Sequence, residues 1–238
     1  MTEEHAATEL NRQEALEEIA AQVRRCQLCP LYKGALKGVP GEGDPQAEVM
    51  LIGEAPGWHE NQQGRPFVGA AGQFLTDLLR SVGLRREQVF IGNVIKHRPP
   101  DNRDPLPDEL RACLPYLDRQ IEIIDPKVIV TLGRFSMARF FPGEKISRVH
   151  GVARRHGDRL ILPLYHPAAA LHQGSLRRVV EEDFKRLPDV LEQARKLAPA
   201  TPAPTPAEGG ESGSGGLRGA ASGGSAEGAA PAQQLSLF

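Results

Sequence analysis

Cysteine is scarce, with three residues in a chain of 238. Three thiols cannot build a disulfide framework, which excludes a small secreted scaffold held by bridges. Two of them form Cys26-x-x-Cys29, a spacing that points to metal or redox chemistry in a reducing compartment. Also missing is any uninterrupted apolar run of membrane-spanning length, which takes about 18 residues. The first residues are acidic and polar where a secretory leader needs a basic flank and an apolar centre. A cytoplasmic monomer with no membrane partner is expected. The glycine-rich segment around Gly53 fits neither G-x-x-x-x-G-K-S/T nor G-x-G-x-x-G, which argues against nucleotide hydrolysis. No internal repeat is present.

Net charge is nearly absent too, at −1, but the balance is uneven along the chain. Residues 19–200 carry 27 of the 29 basic side chains and 21 of the 30 acidic ones, so the central part is basic by six. Such an excess suits nucleic acid and equally suits a well-solvated surface. From Ala198 to about Ala232 the composition collapses to Ala, Pro, Gly, Ser, Thr and a few Glu. This cannot bury enough apolar surface to offset the entropy of ordering. The expected organisation is one globular domain over 1–197, a disordered linker over 198–232 and a terminal peptide over 233–238.

Within the domain, short apolar runs alternate with helical patterns. Glu9–Arg25 reads as an amphipathic helix, with further helices at Ala70–Val82, Asp108–Ile124, Phe135–Phe140 and Leu176–Arg195. Asp108 is a candidate N-cap. Strands are expected at Val49–Ile52, Val89–Ile91, Val128–Leu132 and Leu160–Leu164. The fold class is α/β, a central, mostly parallel four-stranded sheet sandwiched by helices. The strands lead into Gly53-Glu54, Gly92-Asn93, Gly133-Arg134 and Tyr165-His166-Pro167. Ligands of open α/β sheets bind outside the carboxyl ends of the strands, so Glu54, Asn93 and His166 are expected to converge.

Each of these residues also has a plainer reading. Glu54 is either a solvated turn residue or a carboxylate at work, with Ala55 beside it on the substrate side. Phe67, in Gly64-Arg65-Pro66-Phe67-Val68-Gly69, is either core or the lining of a cavity, and Glu60 is placed in a pocket wall. The Asn93 carboxamide offers a donor and an acceptor side by side, which matches the N3–H and O4 edge of uracil; rotated by half a turn, it matches cytosine. His166 is either a surface imidazole or a donor to charge developing on a leaving base. His5, His59, His150, His156 and His172 are read as surface residues, with His172 and Arg177 near a DNA backbone.

Cys113 lies at the far end of a Pro-rich loop, and His97 stands sixteen residues before it. With Cys26 and Cys29 these make a Cys₃His set. That set suits structural zinc, while iron–sulfur clusters usually take four thiolates with His an occasional substitute. An isolated Cys-x-x-Cys with an unrelated core cysteine stays open as well.

The order and spacing of Gly53-Glu54-Ala55-Pro56-Gly57 with Glu60, Gly64–Gly69, Gly92-Asn93-Val94-Ile95-Lys96 and His166-Pro167-Ala168 carry a resemblance. Residues 20–195 resemble a family 4 uracil-DNA glycosylase, the iron–sulfur class of bacteria and archaea. The resemblance implies uracil excision from double- or single-stranded DNA. Phe67 would stack on the base and Asn93 read its edge. His166 would stabilise the uracil anion, and Glu54 the sugar cation or the attacking water. Cys26, Cys29, Cys113 and His97 would hold a structural 4Fe–4S cluster, with zinc the less favoured alternative. The family's fourth ligand is a cysteine in a Lys-Cys-Arg-Pro-Pro context, whereas this chain reads Lys96-His97-Arg98-Pro99-Pro100. A His ligand also occurs in a related branch that crosslinks to uracil-containing DNA. That branch has Gln where Ala55 stands here, together with an insertion before the following Cys, so turnover is favoured over crosslinking. The stretch from His166 to about Arg178 would enter the duplex, with Leu171 as a wedge.

Gln234-Leu235-Ser236-Leu237-Phe238 resembles the short motif by which bacterial proteins bind the replication sliding clamp. A non-catalytic, metal-containing DNA-binding clamp adaptor is the remaining rival class.

Overall fold

The computed structural model describes residues 3–197. The linker expected over 198–232 and the peptide over 233–238 lie outside the described residues. In chain order the elements are α1 (Glu3–Arg24), β1 (Glu42–Gly43), β2 (Val49–Gly53), α2 (Trp58–Gln63), α3 (Ala70–Ser81), β3 (Phe90–Asn93), α4 (Pro107–Ile124), β4 (Val128–Leu132), α5 (Arg134–Ala138), α6 (Ile146–Val149), β5 (Arg154–His156), β6 (Arg159–Leu164), α7 (Pro167–His172), α8 (Gly174–Phe184) and α9 (Leu187–Arg195). Among the described residues no helix is long and apolar enough to cross a membrane.

All four expected strands form, and they run parallel as β3, β2, β4 and β6. The sheet has six strands rather than four, because β1 and β5 add short antiparallel edges in the order β1-β3-β2-β4-β6-β5. The central strands are apolar at nearly every position because both faces are covered. Alternation then decides which face each residue serves. Val49, Leu51, Val128, Val130, Leu132, Leu160, Leu162 and Leu164 pack with residues of α3, α8 and α9. Met50, Ile52, Ile129 and Ile161 pack on the other side with Leu16 of α1 and Leu117, Ile121 and Ile124 of α4.

Two local readings are corrected. Asp108 is not the N-cap of α4: Leu106 occupies that position, Pro107 fills the first helical site, and the Leu106 backbone N–H donates to Glu109 Oε2 at 2.8 Å. Asp108 lies exposed in the first turn and pairs with Arg111. The closing helix is two helices, α8 and α9, broken at Lys185–Arg186. Pro188 has no N–H to return to the Phe184 carbonyl, so one continuous helix would lose that bond and clash.

Candidate active site

The parallel pairing of β2 with β3 continues beyond the strands. Val94 N–H donates to the Gly53 carbonyl at 3.1 Å and Ile95 N–H to the Glu54 carbonyl at 2.9 Å. Gly53 lies directly opposite Asn93. A Cβ on Gly53 would come within 2.4 Å of Asn93 Oδ1 and 2.6 Å of Phe67 Cζ, so only glycine leaves the two side chains this space. Asn93 is 2% exposed, and its Oδ1 is buried with no hydrogen-bond partner. A buried acceptor left unpaired is costly, and such a cost is tolerated where a ligand supplies the missing donor.

Phe67 adopts the left-handed region with φ 51°, an uncommon conformation for a bulky residue that its surroundings must enforce. Arg86 donates to the carbonyls of Pro66 at 2.9 Å and Phe67 at 3.0 Å, and is itself held by Glu42. From the other side, Glu60 Oε1 accepts the N–H groups of Val68 at 2.8 Å and Gly69 at 2.9 Å. Glu60 borders the pocket and also clamps the loop that carries the ring. Helix α3 approaches so closely that a Cβ at Gly72 would meet the Phe67 carbonyl oxygen at 1.9 Å.

His166 caps α7. Its Nδ1 accepts the Ala168 backbone N–H at 3.1 Å, which leaves Nε2 as the protonated, donating nitrogen of the neutral ring. Burial pulls its pKa down to about 4, against a smaller opposing pull from Glu60. The imidazole stacks on Phe67 with centroids 5.6 Å apart and planes at 27°. Glu54 moves the other way. Burial first, and the Asp104 carboxylate second, push it up to about 7, while the Arg134 guanidinium opposes them. Asp104 and Arg134 are ion-paired with each other; Arg134 stands at the end of β4, and the sequence gives no sign of Asp104.

Glu54, Ala55, Phe67, Asn93 and His166 all line one pocket of about 420 Å³, within the range of small-ligand sites. Asn102 and Arg103, from the Pro-rich loop, close another wall and were not anticipated. Of the histidines read as surface residues, His172 lines the pocket and His150 is half-buried, its Nδ1 2.6 Å from Asp183 Oδ2. Arg177 places its guanidinium 4.6 Å from the centre of the Phe74 ring and donates to Glu181, and Leu171 is 43% exposed on α7.

Among the described residues no three His, Cys, Asp or Glu side chains form a metal-holding group. The donor chemistry nonetheless fits a thiolate-bound centre. None of the three cysteines is in a disulfide. Burial, with repulsion from Cys29 and Cys26, pushes the Cys113 thiol up to about 11, although the Lys96 N–H donates to its Sγ at 3.3 Å. Cys29 is raised by burial and opposed by a hydrogen bond from Leu31. Cys29 and Cys113 are buried and Cys26 is partly so, their thiolate forms disfavour one another, and the Lys96 N–H points at the Cys113 sulfur, a set that suits a cation able to hold the sulfurs ionised. His97 is buried and its pKa is lowered by burial, which keeps the ring neutral as a ligand must be. Gly38 provides its room: a Cβ there would lie 2.5 Å from the Val23 carbonyl oxygen, the acceptor of Cys26 N–H, and 3.1 Å from His97 Nε2. Burial first, and the neighbouring Cys26 thiol second, raise the Tyr116 hydroxyl above its ordinary range.

Residues 40–187, more than half of the chain, match the family model described as the uracil DNA glycosylase superfamily. The chain belongs to that superfamily. Within it the type-4 branch is the match: a type-4 uracil-DNA glycosylase of Sulfurisphaera tokodaii is 50% identical over 184 residues, covering 73% of this chain and 84% of that protein. A type-4 uracil-DNA glycosylase of Thermotoga maritima is 44% identical over 180 residues, covering 74% and 94% respectively. The likeness to a type-5 uracil-DNA glycosylase of Thermus thermophilus is lower, 32% over 212 residues, covering 73% and 94%. The uracil-DNA glycosylase fold accounts for the position of the pocket at the carboxyl ends of β2, β3 and β6.

Proposed function

We propose that the chain is a monofunctional uracil-DNA glycosylase that extrudes uracil from DNA and hydrolyses its N-glycosidic bond, the first step of base excision repair. The observation that carries this reading is the unpartnered Oδ1 of buried Asn93, lining the same pocket as an aromatic ring, a neutral imidazole and a partly ionised carboxylate. The carboxamide takes the uracil N3–H on Oδ1 and gives a hydrogen bond to O4. Stacking on Phe67 offsets part of the unstacking cost of extrusion. As the bond between C1′ and the base breaks, its electron pair leaves with uracil and charge gathers on O2. His166, neutral at working pH, donates Nε2–H to that oxygen. Glu54 in its ionised form stabilises the sugar cation and orients the water that adds to C1′, whose proton passes to the carboxylate or solvent.

The residues lining the pocket include no lysine, so an abasic site without strand cleavage is the expected product. The basic excess of the domain would supply phosphate contacts, and the exposed Leu171 side chain would enter the stack. Cys26, Cys29, His97 and Cys113 would hold a 4Fe–4S cluster that joins α1 to the Pro-rich loop; zinc is the alternative. When bound, the group would supply cross-linking of the fold rather than redox chemistry. Gln234, Leu235, Ser236, Leu237 and Phe238 would bind a sliding clamp on the tether of 198–232, a reading supported by sequence alone. A cytoplasmic enzyme is consistent with both partners.

The test is release of free uracil from single- and double-stranded oligonucleotides carrying one uracil. His166→Ala is expected to lower kcat about 10²-fold or more, the usual cost of removing a donor to a developing anion. Retained uracil release by both His166→Ala and Asn93→Ala would overturn the site.

A further inference from the structure

We propose that Trp58 is a stacking platform for a nucleotide flanking the extruded base, an inference that rests on the glycosylase reading above. The residue is 54% exposed, an unusual surplus of apolar ring beside a polar pocket. Trp58 opens α2 immediately after Gly57, and both Gly57 and Glu60 line the pocket. The indole therefore stands at the rim.

Its surroundings brace it. The His59 ring meets the indole edge-on, with centroids 4.9 Å apart and planes at 89°. His59 in turn abuts the Phe67 loop, since a Cβ on Gly69 would lie 3.2 Å from its Cδ2. Glu60 ties the same helix to that loop through Val68 and Gly69. The platform and the ring that would receive uracil thus belong to one rigid assembly.

The chemistry around the indole selects the ligand. Helix α2, Trp58-His59-Glu60-Asn61-Gln62-Gln63, carries no lysine or arginine to pair with a phosphate, and Glu60 adds a negative charge. It also lacks the contiguous apolar side chains that a docked protein helix would need. A single aromatic face on a polar helix suits a nucleobase, which offers a π-face and needs no matching apolar patch. Extrusion deprives the neighbouring base of a stacking partner, and the indole replaces it.

The chain has one tryptophan, so its emission reports this contact directly. The probe is a single-stranded oligonucleotide containing one 2′-fluoro-2′-deoxyuridine, whose fluorine disfavours the sugar cation and prevents turnover. Quenching that saturates with binding is expected. For the cleavable uracil oligonucleotide, Trp58→Ala should raise KM about ten-fold or more, outweighing any change in kcat, and Trp58→Phe should restore most of the loss. Uracil release by the native protein with unchanged emission at saturation, or an unaltered KM in Trp58→Ala, would overturn the stacking role and leave the glycosylase reading intact. Quenching without any uracil release would overturn that reading and keep Trp58 as a DNA contact.

Discussion

Lys96, wholly buried, donates its ammonium to the backbone carbonyl of Asn93 at 2.9 Å. The same ammonium donates to Gln120 Oε1 at 2.7 Å, and Gln120 donates onward to the Pro40 carbonyl at 2.7 Å. The Lys96 backbone N–H goes to Cys113 Sγ. One residue therefore links the strand end that carries Asn93 to the thiol region. Lys96→Met strands two buried acceptors and is expected to cost about 1–3 kcal/mol, read as a lower urea midpoint. It should also lower kcat/KM, because Asn93 loses its backbone anchor. Lost stability with unchanged kcat/KM would confine Lys96 to folding.

Activity should depend on pH through Glu54. Its pKa is pushed up to about 7, and with the ionised form in the role proposed above the rate should fall as pH drops through about 7. Removing the Asp104 charge lowers that pKa, so Asp104→Asn should move the acid limb to lower pH. Arg134→Ala removes the stabilising cation and should move it higher. Single-turnover uracil release between about pH 5 and 9 reads both shifts. His166, held down to about 4, should contribute no break in that interval.

Gly53→Ala tests the packing that admits the base. The new methyl would press on Asn93 Oδ1 and the Phe67 ring together. Overpacking of this kind costs roughly 1–3 kcal/mol, but the larger effect is expected in kcat/KM, about 10²-fold, as the Asn93 and Phe67 side chains are both displaced. A variant with native kinetics would show that the pocket yields at no cost.

Metal content can be read separately from activity. Purified protein should absorb near 400 nm and contain iron and sulfide in near-equal amounts if the thiols hold a 4Fe–4S cluster; zinc without sulfide would replace that assignment. His97→Ala should reduce iron occupancy, and His97→Cys should restore it.

The central sheet was readable because β2, β4 and β6 are continuous apolar runs, the mark of strands covered on both faces. The edges β1 and β5 were not readable: Glu42-Gly43 and Arg154-Arg155-His156 are short and polar, and pairing alone makes them strands. Helix α2 escaped notice for a related reason. Its buried residue is Asn61, which accepts the Leu36 N–H at 2.8 Å, so no apolar stripe marks it. At the site, Glu54, Asn93 and His166 were found because strand ends converge by topology. Arg86 and Arg103 reach the site region from segments between the main elements, and nothing in their own neighbourhoods signals that arrival, whereas Arg134 follows β4 directly and shares the strand-end signal.

The edge strands carry a consequence for behaviour at high concentration. An open parallel sheet ends in unpaired N–H and C=O groups, which template strand addition from another molecule. Here each end is closed by a strand of only two or three residues. One contains a glycine at φ 135°, and the other is made of Arg154, Arg155 and His156. Neither offers a long flat edge to copy, so strand addition at either edge is disfavoured while the carboxyl ends of the central strands stay open.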